Sequence, residues 1–177
     1  MAITKIATVT VPSGGQAALQ FLSIPGTFTD LWLKISARGS NSTVYFTTKI
    51  RFNGATSDAN MSNRFLQGPG SGSPSAGTGS LFLVGDIAGN SSTSNTFGTA
   101  DVYIPNYSDS TNKTATIDST GENNSAENYT QIIYARWADN SAITSLSVQP
   151  VSGTFLQYST ATLYGITKGS LAGVTVS

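Results

Sequence analysis

Apolar and polar side chains alternate at every second residue through much of this chain, and that period limits the fold more than any other feature. Successive side chains of a strand point to opposite faces, so the pattern buries one face and wets the other. Leu31, Leu33, Ile35 and Ala37 alternate with Trp32, Lys34, Ser36 and Arg38. Val44, Phe46, Thr48, Ile50 and Phe52 alternate with Tyr45, Thr47, Lys49 and Arg51. Between the two runs, Gly39-Ser40-Asn41-Ser42 reads as a hairpin loop.

Further strands are expected over residues 6–11, stopped by Pro12, and over 17–24, stopped by Pro25-Gly26. Others are expected over residues 81–84, 97–104, 113–118, 129–138, 143–148 and 158–166. In the run over 129–138, Ile133, Ala135 and Trp137 share one side, and Ile132, Tyr134 and Arg136 the other. No helical period of useful length competes; residues 58–66, which Asp58 would cap, carry too short an apolar stripe. Residues 67–80 and 119–128 are so rich in Gly, Ser, Asn and Thr that they read as exposed loops. The expectation is an all-β chain: a two-sheet antiparallel sandwich, jelly-roll-like, of eight to ten strands. It forms a single domain over residues 1–177, with 1–12 and 167–177 as terminal arms.

The composition bears on function by what it withholds. There is no histidine and no cysteine in 177 residues, and only 10% of them are charged. Serine and threonine number 49, joined by 18 glycines and 12 asparagines. Most nucleophilic, acid–base and metal chemistry draws on His, Cys or clustered carboxylates, so no enzyme activity and no cofactor are expected. Nine cations balance nine anions, which leaves no basic patch for nucleic acid or for an anionic membrane. No run approaches the ~18 apolar residues of a membrane span, and residues 1–5 lack the apolar core of a signal peptide.

Each candidate for chemistry has a plainer reading. Asp30, Asp58, Asp86, Asp109, Asp118 and Asp139 sit where aspartate makes turns and caps, and Asp101 alone looks placed inside a strand. Asp58-Ala59-Asn60 with Asn63, and Asp86 with Asn90, are oxygen-rich but match no defined calcium loop. Gly68-Pro69-Gly70-Ser71-Gly72 lacks the Gly-Lys-Ser/Thr ending of a phosphate loop. Trp32, opposite its strand's apolar face, and the tyrosines at 103 and 107 suit the core or a subunit contact better than a sugar platform.

Four stretches carry a resemblance. They are Ile24-Pro25-Gly26-Thr27-Phe28-Thr29-Asp30-Leu31, Phe52-Asn53-Gly54-Ala55-Thr56-Ser57-Asp58-Ala59-Asn60-Met61-Ser62, Val102-Tyr103-Ile104-Pro105-Asn106-Tyr107, and the segment from Phe155 to Ile166. Together they resemble the small structural proteins of tailed bacteriophages. That resemblance implies a virion component, a homotrimeric capsid cement or decoration protein bound to the major capsid protein. It is made in the host cytoplasm with no secretion signal. The alternative is a tail or head-fibre module that binds receptor or host glycan. Ile3, Ile6, Val9, Trp32, Tyr107, Leu171, Val174 and Val176 are the expected interface residues, with the terminal segments buried between copies. Deleting residues 170–177 is expected to weaken the trimer, which the chain's mass in solution measures.

Overall fold

A computed structural model describes residues 1–122 and 129–169, and among them there is no helix. Twelve strands form: β1 (Ala2–Thr10), β2 (Leu19–Phe21), β3 (Asp30–Ala37), β4 (Tyr45–Phe52), β5 (Met61–Pro69) and β6 (Ser75–Gly79) in the first half. β7 (Leu83–Ala88), β8 (Gly98–Pro105), β9 (Lys113–Thr120), β10 (Tyr129–Trp137), β11 (Leu146–Pro150) and β12 (Thr160–Thr167) follow. They make an antiparallel sheet of eight, in the order β1-β12-β3-β8-β9-β10-β5-β6, and one of four, β2-β11-β4-β7.

The chain changes sheet at seven of the ten connections between β2 and β12, so many spatial neighbours are distant in sequence. This crossing between two packed sheets is the jelly-roll habit. Where a single strand would lie between β3 and β5, the meander β8-β9-β10 sits instead, which widens the larger sheet. The sheets do not close into a barrel.

The alternating runs form β3 and β4, but Gly39-Ser40-Asn41-Ser42 is not a hairpin loop, because β3 pairs with β12 and β8 in the wide sheet and β4 with β11 and β7 in the narrow one. Arg38 and Lys49, read on the polar sides, are buried as well. Leu31, Leu33, Ile35 and Ala37 are buried on β3, and Phe46, Ile50 and Phe52 on β4. Between the sheets, the Phe52 ring stacks on Trp137 at 5.0 Å and meets Phe82 edge-on at 4.8 Å, geometries that aromatic pairs favour. Gly85 on β7 has φ +121°, and a Cβ there would lie 2.0 Å from the Ser119 hydroxyl of β9. Only glycine allows both that backbone and that approach.

Where no strand forms, single polar side chains shape the chain. The buried Arg38 guanidinium donates to the carbonyls of Asn90, Ser92, Thr93 and Thr96 at 2.7–3.0 Å, folding the β7–β8 loop around itself. Burial pulls its pKa down, but the four carbonyl dipoles stand in for a counter-ion. Asn53, at φ 51°, accepts from the amides of Thr144 and Ser145 and donates to the Ala142 carbonyl.

Several expectations need correcting. There are twelve strands, more than the eight to ten read from the sequence. Residues 67–80 are not a loop: Gln67 to Pro69 finish β5, and β6 pairs with it from Gln67↔Ser75 to Asn63↔Gly79. Small polar residues make a strand here because the main chain needs only its neighbour's hydrogen bonds. Gly77 has a packing reason as well, since a Cβ on it would lie 2.5 Å from the Phe65 ring. Ser119 and Thr120 likewise end β9, while residues 123–128 lie outside the described residues. The N-terminal arm is β1, paired with its own chain's β12 from Ala2↔Thr167 to Thr10↔Thr160.

Truncating Phe52 removes the contact that joins the sheets. Phe52→Ala is expected to cost about 3–5 kcal/mol, measured by urea unfolding followed through tryptophan fluorescence, since Trp137 stacks on the missing ring.

Candidate interaction surface

The wide sheet turns one face to the core and leaves the other open, and the strand register sorts that open face into rows. One row is hydroxylic: Thr10, Thr160, Ser36, Thr99, Thr120 and Thr130 lie side by side across six strands. The next two rows divide into a polar half, on β12, β3 and β8, and an apolar half, on β10, β5 and β6.

In the polar half the aromatic groups already have partners. Trp32 Nε1 donates to Asp101 Oδ1 at 2.7 Å, and Tyr164 lies 5.9 Å away at 41°. The Lys34 ammonium sits 4.5 Å from the centre of the indole ring and 3.0 Å from Asp101. The indole thus has its N–H taken and one face covered by a cation. Below it, the wholly buried Asp30 carboxylate accepts from Tyr103 Oη at 2.6 Å and from the Asn106 amide at 3.0 Å. Lys168 lies 3.0 Å from it. Burial would raise the Asp30 pKa, but Tyr103, Asn106 and Lys168 outweigh burial and hold it below the usual value. Burial and the same carboxylate push the Tyr103 hydroxyl up to about 12.

The apolar half is different. Ile132 is 63% exposed, Leu66 60% and Tyr134 48%. Ile132 faces Leu66 across the β10–β5 pair, and Leu66 faces Ala76 across β5–β6. Tyr134 lies one pair along, opposite Arg64. Scattered apolar residues on a surface are ordinary, but a contiguous group of this kind marks a contact site.

Asp58 and Asp86 hold structure together. Asp58 binds Arg51 through two hydrogen bonds at 2.9 and 3.1 Å and Lys49 through one at 2.6 Å, and these partners lower its pKa against burial. Asp86 lies inside β7, not in a turn, and accepts from Thr47 and Gln131 at 2.6 and 3.1 Å; burial pushes its carboxyl up. Asp118 lies inside β9 and Asp30 opens β3, so Asp101 is not the one strand aspartate. Asn63 donates its Nδ2 to the Leu81 carbonyl, while its Oδ1 is buried without a hydrogen-bond partner. Among the described residues, no three His, Cys, Asp or Glu side chains gather as a metal site would require.

The expected interface residues fall in four places. Ile3 is 48% exposed on β1, while Ile6 and Val9 pack partly against the core. Trp32 lies in the polar half, half-buried. Tyr107 is wholly buried and donates its hydroxyl to the Pro25 carbonyl, so it is a core residue with no surface for a partner. Leu171, Val174 and Val176 lie outside the described residues. Leu66, Ile132 and Tyr134 were not among the expected contacts; the alternation over 129–138 put Ile132 and Tyr134 on one side together without saying which side is buried.

Fold and surface together define a jelly-roll-like antiparallel β-sandwich with one open sheet face that is apolar over part of its width. No protein-family model matches the chain, and no curated protein and no solved structure matches it.

The Asp30 cluster makes stability depend on acid. Its folded pKa is depressed, so its contribution is complete above the ordinary aspartate value of about 3.9 and is lost as pH falls through the lower folded value. Asp30→Asn is expected to cost about 2 kcal/mol near neutrality. Melting curves should show the gap to the unaltered protein narrowing below about pH 4.

Proposed function

We propose that this chain is a non-enzymatic structural protein of a virion, a capsid cement that binds the major capsid lattice as an oligomer. The observation that supports this most is the apolar half of the wide sheet's outer face, where Leu66, Ile132 and Tyr134 stand exposed together. Flanking rows of hydroxyls suit the rest of such a seat, because an interface joins an apolar centre to a polar rim. Such contacts are individually weak, and a multimer that engages several at once multiplies its affinity. The resemblance to phage structural proteins points the same way.

The glycan-binding alternative draws less support. Its aromatic platform would be Trp32, whose indole already carries Lys34 on one face and Asp101 on its nitrogen.

Quantitative mass spectrometry of purified virions tests the proposal. Hundreds of copies in fixed ratio to the major capsid protein are expected; a handful would move the chain to the tail or a fibre, and none would end the virion reading. Leu66→Lys and Ile132→Lys replace exposed side chains, so they should leave the melting temperature nearly unchanged while lowering capsid occupancy at least tenfold.

A further inference from the structure

The two edges of the wide sheet are guarded unequally. β1, at one edge, carries Lys5 and shifts register between Lys5 and Ala7. A charge and an irregular register are the devices by which exposed strands avoid unwanted pairing. β6, at the other edge, has neither. Its residues, Ser75-Ala76-Gly77-Thr78-Gly79, carry no charge and no proline and pair with β5 without a shift. Its far side has no strand among the described residues. Exposed Leu66 and Ile132 stand beside it on the outer face. An open, regular edge next to apolar side chains has what strand addition uses: main-chain bonds for affinity and side-chain contacts for fit.

We propose that the β6 edge receives residues 170–177 of a second copy of this chain as an added strand. That segment contains Leu171-Ala172-Gly173-Val174-Thr175-Val176, uncharged and alternating, with Ala172, Val174 and Val176 on one side. Placed beside β6, that side extends the apolar surface of Ala76, Leu66 and Ile132. The donor is another molecule because of reach. The segment follows β12, whose end pairs with Ala2, at the opposite edge of the sheet. A strand added beyond β6 lies seven spacings from β12, about 34 Å, while the link from Thr167, where β12 ends, to residue 170 spans at most about 10 Å. The segment cannot lie along its own β6. Donor and acceptor therefore occupy opposite edges of each copy, an arrangement that closes where the rotation between copies allows it and otherwise continues as an open chain. This inference concerns how copies hold one another and does not depend on the virion proposal.

Three measurements test it. Light scattering of the purified full chain should give a multiple of 18.4 kDa, and the chain lacking residues 170–177 should have the mass of a single chain. Ala76→Lys puts a charge on an exposed strand position and should also abolish assembly, with an unchanged melting temperature showing that it folds. A synthetic peptide of residues 169–177, titrated into the isotope-labelled truncated chain, should shift the amides of residues 75–79 and leave those of β1 in place. A monomeric full chain, an unaltered mass after truncation or after Ala76→Lys, or peptide shifts confined to β1 would each overturn the proposal.

Discussion

Phe52 on β4, Phe82 just before β7 and Trp137 at the end of β10 meet where the narrow sheet presses on the wide one. The burial of apolar surface at that junction is the interaction on which the other features depend, because neither sheet has a second means of hiding its inner face. No disulfide assists, since the chain has no cysteine. At ~25 cal/mol per Å² of apolar surface, rings of this size carry more of the core's stability than the small aliphatic side chains around them. The close passage of β7 over β9 at Gly85 follows from the same packing.

Once the sheets are packed, buried polar side chains decide the shape of the connections. Arg38 gathers four carbonyls of one loop, Asn53 ties the β4–β5 turn to residues 142–145, and Asp58 is held by two cations of β4. Arg38 and Asn53 do the work of secondary structure where none forms, by bonding main-chain groups of the connections. The buried Arg38 is stable as a cation because carbonyl oxygens surround it, and Asp30 as an anion because Tyr103, Asn106 and Lys168 do.

A sheet of eight strands spans about 34 Å across its strands and one of four about 14 Å, so the wide sheet overhangs the narrow one. Its outer face is therefore the broadest flat surface of the molecule. One half of it is internally satisfied, with Trp32, Lys34 and Asp101 bound to one another. The other half exposes Leu66, Ile132 and Tyr134 beside an unguarded edge. The asymmetry explains why the contact proposals fall on β10, β5 and β6.

The all-β class, the apolar faces of β3 and β4 and the two sides of β10 were legible in the sequence, because the period of two is a local property of the strand; which side of β10 is exposed was not. The strand at residues 75–79 was not, since Ser-Ala-Gly-Thr-Gly has no preference of its own and becomes a strand only by bonding to β5. Leu66 was missed with it, because its exposure depends on β5 continuing through Pro69. Tyr107 read as a core or interface aromatic and was named for the interface, but the chain's return past Pro25 buries it, a contact across 82 residues. Local alternation determined which strands would form and which side chains of each share a face. Only the tertiary structure decided which strand became an edge and which aspartate an ion-pair partner, because both depend on what the chain brings alongside from far away in the sequence.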